Sequence, residues 1–349
     1  MYKIKGWLVI VLTLALIMGT TGVALAQKPI VIGAVPFYLD RYDSFMLYLR
    51  ETERRLKELG VDYRLITRAP AGGAKDHIGQ LAIIEDMVAM GVDYLAMLPT
   101  SIEMQIPAFG HVIEAGIPLI ITDYLDYIEG SDVPETDQEY FIAYSHSDMG
   151  KAVADYVKEN YRKGVKMAII HGIPGHITNE RAAEHLHIAN GVNIIYRHWA
   201  DFDRAKAYAA TLDVLVAHPD VEIILGMNST MAIGVVAAVE AMGRLDDIDV
   251  IGYGGIIEEL NNVALGRMIT VARSHFHTGK AMADIIYLHS QGFKDVLRRS
   301  IRTPCLVLDS AQAIRDKWDH RYLEMMREAW PADPGIEVFN KLFGDLVGQ

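Results

Sequence analysis

Cysteine occurs once in the 349 residues, at position 305. One thiol excludes an intramolecular disulfide framework and a cysteine-ligated structural zinc site, so packing must hold this chain together. Basic side chains are also scarce: 33 Lys and Arg face 45 Asp and Glu, a net charge of −12. No basic stripe is available to neutralise phosphates, which excludes a nucleic-acid backbone as partner. Gly-x-Ser-x-Gly, His-Glu-x-x-His and the P-loop pattern are all absent. The enzyme classes they mark are therefore not indicated, and neither a catalytic role nor a cofactor is expected. Glycine (29) and proline (12) are spread along the chain rather than clustered, which argues against linkers and low-complexity tails.

Long apolar runs are confined to the N-terminus. Lys3 and Lys5 precede the 12-residue stretch Trp7 to Met18, and small residues follow up to Ala24-Leu25-Ala26. A positive start, a short apolar middle and an Ala-x-Ala end form an export signal, with cleavage expected after Ala26. The stretch is too short to span a bilayer comfortably, and no cysteine near the cleavage site could carry a lipid anchor. Without residues 1–26 the chain keeps 31 basic and 45 acidic residues, a charge of −14. An exported, soluble, acidic protein is expected.

From Lys28 onward, short β-branched runs alternate with longer helical patterns that tend to stop at glycine. Strands are expected at 29–35, 62–67, 93–98, 117–122, 166–171, 193–199, 221–227, 249–252 and 268–273. Helices are expected at 44–59, 76–90, 106–115, 178–189, 203–217, 230–242, 257–265 and 278–289. Units of about 30 residues predict parallel sheets covered on both faces. A polar stretch over 129–138 separates two such series. The fold class is therefore α/β, with two doubly wound parallel-sheet lobes.

Ligands of open parallel sheets bind beyond the carboxyl ends of the strands, where loops and helix N-termini converge. Those loops hold Phe37, Tyr38, Asp40, Tyr42 and Phe45; Asp123, Tyr124 and Asp126; His176 to Arg181; Trp199 and Asp201; Asn228 and Ser229; Tyr253 with Gly254 and Gly255; and Arg273 with His275. Flat rings interleave with Asp, Asn and Arg, a composition suited to a polyhydroxylated ligand. The Gly252-Tyr-Gly254-Gly255 run is not a dinucleotide loop, because it lacks the third glycine spacing and follows a late strand. Its glycines are expected to let backbone turn tightly and approach a ligand. Thirteen histidines include His185 with His187 and His275 with His277. On a helix such i, i+2 pairs point about 200° apart and cannot chelate, so no metal is expected.

With these loops in view, the chain resembles the type I periplasmic binding proteins, the ribose- and galactose-binding family of ABC sugar importers. The resemblance covers nearly the whole chain after residue 26. It is carried by Leu98-Pro-Thr100, Ala115-Gly-Ile-Pro118 leading to Asp123, Ser145-His-Ser-Asp148-Met-Gly150, Ala217-His-Pro-Asp220, Asn228-Ser-Thr-Met-Ala-Ile-Gly234, Ile251-Gly-Tyr-Gly-Gly255 and Thr270-Val-Ala-Arg273. It implies two lobes joined by three crossings near Tyr144, Ser274 and Pro304. The lobes would be 27–144 with 275–303 and 145–274 with 304–349, closing on a ligand by a hinge. Asp123 stands where the sugar binders keep an Asp, and Asn228 where they keep an Asn. Tyr124 replaces an expected Arg, and Gly254 replaces the Asp of Gly-Phe-Asp-Gly.

Several stretches are also similar to the autoinducer-2 receptor branch of this family, which carries Gly-Trp-Gly-Gly at 252–255. In that comparison Arg181, Arg273, Ser229 and Phe45 match ligand positions, while Asp123 replaces an Asn and would repel a borate-diester anion. The segment Ala69-Pro-Ala-Gly-Gly73 resembles trimethylamine N-oxide sensors of this fold. The resemblance thus implies a monomer that captures a sugar, a polyol or a sugar acid for an ABC permease. The alternative it leaves is a receptor for an autoinducer-2-like or trimethylamine N-oxide-like ligand that regulates a membrane sensor kinase.

Overall fold

The computed structural model describes residues 28–39, 44–123, 138–144, 146–174, 191–317 and 341. The chain begins as β1 (Ile30–Val35), α1 (Ser44–Glu58), β2 (Tyr63–Thr67), α2 (His77–Ala89), β3 (Tyr94–Met97), α3 (Ile102–Glu114), β4 (Leu119–Thr122) and β5 (Glu139–Ala143). It continues through α4 (His146–Asn160), β6 (Lys166–His171), β7 (Asn193–Trp199), α5 (Arg204–Ala217), β8 (Ile223–Gly226), α6 (Ser229–Ala241), β9 (Asp249–Gly254), α7 (Ile257–Ala264) and β10 (Ile269–Arg273). The described part closes with α8 (His275–Ser290), β11 (Ser300–Arg302), β12 (Cys305–Leu308) and α9 (Ala311–Lys317).

These strands form two six-stranded sheets, ordered β11-β5-β4-β3-β1-β2 and β12-β10-β9-β8-β6-β7. The first sheet is parallel throughout. In the second, only β12 runs antiparallel, against β10. Central strands are apolar along their length because helices cover both faces: β3, β4 and β8 are buried at every position. Two hydrophobic cores result, one around each sheet. The chain passes from one sheet to the other between β5 and β6, between β10 and β11, and between β11 and β12.

Helix starts follow side-chain caps at the carboxyl ends of strands. Asp76, Ser101, Asp203 and Asn228 each accept a hydrogen bond from the backbone N–H three residues on, satisfying a donor that the first turn leaves open. Glycines at positive φ, such as Gly91 at 63° and Gly116 at 73°, end α2 and α3.

Four expectations change, the first being that no element is expected after residue 289, where β11, the antiparallel β12 and α9 follow. Helix α3 starts at Ile102 rather than Ile106, because Ser101 caps it and Pro107 is carried inside the helix, forgoing one N–H bond. Helix α8 starts at His275 rather than Thr278, capped by Ser274. Between residues 138 and 166, where no element is expected, lie the five-residue β5, too short to show a period, and the 15-residue α4. The helix expected at 178–189 lies outside the described residues.

Helices α1 and α8 pack backbone to backbone. A Cβ on Gly279 would lie 2.4 Å from the Tyr48 carbonyl oxygen and 2.6 Å from Glu51 Cβ, and Thr52 Oγ1 donates to Gly279 O at 3.0 Å. Gly279→Ala should therefore lower the melting temperature. Overpacking against rigid backbone costs on the order of 1–3 kcal/mol, more than the ~1 kcal/mol of helix propensity that Ala adds. An unchanged or higher melting temperature would contradict this packing.

Candidate functional site

The carboxyl ends of the two sheets face each other across a cavity of about 520 Å³. Phe37, Tyr38, Ser44, Leu98 and Asp123 line it from the first unit. Asp201 to Arg204, Met227 to Thr230, Tyr253, Ile256 and Arg273 line it from the second. Tyr144 and His146, where the chain first passes between the sheets, lie between these walls.

The floor is a polar knot. Asp123 sits at φ 68°, a left-handed conformation that Asp tolerates better than most residues. Its Oδ1 accepts from the buried Tyr48 hydroxyl at 2.8 Å, and its Oδ2 accepts from Arg273 Nη1 at 3.2 Å. Arg273 also donates to the Tyr144 hydroxyl and to Ser44 Oγ, and its guanidinium lies 4.7 Å from the centre of the Tyr144 ring. Burial pushes the Asp123 carboxyl upward, and Arg273 and the Tyr48 hydroxyl oppose that shift. Burial likewise raises the Tyr48 phenol well above its ordinary value, so it stays a donor. His275 is fully buried beside Ser44 Oγ at 3.3 Å. Burial, reinforced by Arg273, holds it well below the usual histidine range, so the ring is neutral.

The second wall is set from behind by a buried carboxylate. Glu259 accepts from Ser229 Oγ at 2.6 Å, from Ile256 N at 3.2 Å, from Gly255 N and from Thr270 Oγ1 at 3.3 Å. A Cβ on Gly252 would lie 2.3 Å from Glu259 Oε1, and one on Gly254 would lie 1.9 Å from Ser229 Oγ. These glycines make room for Glu259 and Ser229, so the expectation that they admit a ligand is corrected for 252 and 254. Ser229 gives its proton to Glu259 and offers the cavity an acceptor. Asn228 uses Oδ1 to cap α6 through Met231 N at 2.7 Å, leaving its NH₂ group to donate. The Tyr253 hydroxyl donates to the His146 carbonyl at 3.1 Å, and the two rings stack with centres 5.9 Å apart.

Among the residues singled out from sequence, Asp123, Asn228, Ser229, Tyr253 and Arg273 all line this cavity. Phe45 does not: it is fully buried in the first core, edge-on to Tyr48, because α1 turns that face inward. Trp199 stacks on His171 with centres 5.4 Å apart and lies away from the cavity. Asp40, Tyr42, Tyr124 and Arg181 fall outside the described residues. Sequence reasoning missed Tyr144, His146 and Phe202. Phe202 had a readable signal, an aromatic between a strand end and the cap residue Asp203. Among the described residues, no three His, Cys, Asp or Glu side chains group as a metal site.

Residues 37–294 match the family model described as a periplasmic binding protein domain. The chain is similar to the ribose import binding protein of Bacillus subtilis, at 28% identity over 190 residues, 54% of this chain. That match spans 59% of the relative's length. It is also similar to the D-allose-binding periplasmic protein of Escherichia coli, at 27% identity over 74% of this chain and 83% of that protein. Among solved structures, a periplasmic solute binding protein of an ABC transporter from Actinobacillus succinogenes with bound D-allose has a TM-score of 0.70. It is 25% identical, and the match covers 82% of this chain and all of that one.

His171, at the end of β6 and under Trp199, is 2% exposed. Burial, with a lesser effect from Arg197, pulls its pKa from 6.5 down to about 4. The folded state therefore binds fewer protons than the unfolded chain between those values. Its contribution is complete above pH 6.5 and is lost as pH falls toward 4, by about 3 kcal/mol at 1.36 kcal/mol per unit. His171→Phe, which keeps the ring against Trp199, should lose less stability than the parent between pH 6.5 and 4 in denaturant melts. Parallel acid curves would contradict a neutral buried His171.

Proposed function

The chain belongs to the periplasmic binding protein domain family, and from that premise we propose that it captures an uncharged sugar or sugar-like polyol for an ABC importer. The observation that carries this reading is charge matching in the cavity. Arg273 is engaged by Asp123, Arg204 by Glu258 at 2.5 Å, and Asp201 by Lys75 and Lys206. Asp203 caps α5 at the rim. Among the described residues, the lining offers a ligand the Asn228 amide, the Ser229 oxygen, the outer lone pairs of Asp123, the Thr230 side chain and aromatic faces. Such a lining suits hydroxyls and C–H faces and offers no unmatched cation for a sugar acid.

The relatives named for ribose and D-allose support import over the receptor alternative. Binding rather than catalysis is the family's role, and the periplasm is its location. In this reading residues 1–26 are the leader, cleaved after Ala26, and the monomer works through two lobes, 27–144 with 275–303 and 145–274 with 304–349. A ligand that touches both walls favours their approach because it makes both sets of contacts only there.

A thermal-shift scan followed by calorimetry tests this with D-ribose, D-allose and myo-inositol against D-gluconate and D-galacturonate. A neutral sugar at 100 times its dissociation constant should add ~2.7 kcal/mol of stability. Asn228→Asp keeps the cap but removes the donor, and should weaken that sugar about tenfold, the loss of one hydrogen bond. Stabilisation by the acids alone would overturn the reading.

A further inference from the structure

A second ion pair spans the cleft, at its mouth. Lys75 Nζ lies 2.6 Å from Asp201 Oδ1. Lys75 ends the 3-10 turn Gly73–Lys75 that follows β2 in the first unit, and Asp201 follows β7 in the second. Lys206, from the same unit as Asp201, takes the other oxygen, Oδ2, at 2.6 Å. Both lysines, Lys206 more than Lys75, hold the Asp201 carboxyl below its ordinary range.

Each partner is mechanically joined to an aromatic ring of the cavity. On the first unit the Tyr38 hydroxyl accepts from Ala74 N at 3.3 Å. Gly73 lies so close that a Cβ would be 2.0 Å from Tyr38 Cε1. On the second unit Asp201 and Phe202 both adopt left-handed φ, 55° and 58°, a strained choice for Phe above all. The Phe202 ring seats over Gly172, where a Cβ would be 2.0 Å from Cε1. Lys75 is thereby tied to Tyr38, and Asp201 is adjacent to Phe202.

We propose that Lys75 and Asp201 form a latch across the cleft mouth that holds Tyr38 and Phe202 over the cavity and slows escape of its contents. They are positioning residues. The latch itself does not depend on ligand identity, whereas its effect on escape rests on the sugar reading. Lys75 is 54% and Asp201 25% exposed, so the pair should shift an equilibrium by about two- to fivefold rather than by orders of magnitude.

Spin labels at Ile78→Cys and Ala209→Cys, with Cys305→Ser, report the distance across the mouth in ligand-free protein. Lys75→Gln, and Asp201→Asn, which tolerates the left-handed φ, should each raise the long-distance population about two- to fivefold relative to the parent. The double variant should open no further than either single one. Salt at about 1 M should open the parent but add little to Lys75→Gln. Lys206→Gln, which removes a contact within one unit, should leave the distances as they are. No change in Lys75→Gln, or equal opening by Lys206→Gln, overturns the latch.

With D-ribose and D-allose as probes, stopped-flow dissociation should be about two- to fivefold faster in Lys75→Gln. An unchanged rate in a variant that has opened overturns the role in retention. If neither sugar nor any other neutral polyol binds the parent, the sugar reading fails while the ligand-free distances still decide the latch.

Discussion

The guanidinium of Arg273 is the constraint around which the cleft is organised. It stands at the end of β10, in the second sheet, and donates to Asp123 and Ser44 of the first unit and to Tyr144 at the passage between them. With side chains 14% and 8% exposed, Arg273 and Asp123 are removed from most of the water that would otherwise solvate them. Such a charge is tolerable only with near-complete pairing and hydrogen bonding. The knot therefore fixes several things together: the left-handed turn at Asp123, the inward hydroxyl of Tyr48, the neutral state of His275 and the floor of the cavity. In the proposed reading it also bears on recognition, because an arginine held by a carboxylate, a phenol and a serine is a tie between units before it is an anion clamp.

The second wall follows the same logic one layer back. Among the described residues, Glu259 forms no ion pair and is held by hydroxyl and backbone donors. Burial still pushes its carboxyl upward. Space for it comes from Gly252 and Gly254, so the loop that looks permissive toward a ligand is permissive toward an internal carboxylate. Because Ser229 donates to Glu259 and Asn228 accepts from the α6 backbone, each keeps one hydrogen-bonding sense for the cavity. An acceptor beside a donor suits adjacent hydroxyls. The absence of a side chain at 254, where the resembling sugar binders keep an Asp, has its cause in the 1.9 Å approach of Ser229 Oγ.

Much of this was legible in the chain. Alternating apolar runs and glycine stops gave most strands of both sheets, because a strand buried on both faces carries an uninterrupted apolar signal, as in Leu119–Thr122. Asp123, Asn228, Ser229, Tyr253 and Arg273 line one cavity, since strand ends followed by Asp, Asn or Arg mark where a parallel sheet presents polar groups. What stayed hidden was long-range. Strand β5 pairs with β4 and β11, the latter about 160 residues away, and its five residues show no period of their own. Phe45 stands in the first turn of α1 but on the face turned into the core, and only the packing of α1 reveals that. Glu259 reads as an ordinary helical glutamate until Ser229, 30 residues earlier, is placed against it.

The most direct measurement on the central claim is a double-mutant cycle on unfolding free energy with Asp123→Asn, Arg273→Gln and the pair, read by urea denaturation. Two residues in one buried network should couple, and an interaction energy above about 1 kcal/mol is expected. Both single variants should destabilise the chain, and the double should cost clearly less than their sum. Additive losses would mean that the two units are not tied through this pair, and the account of the cleft floor would be wrong.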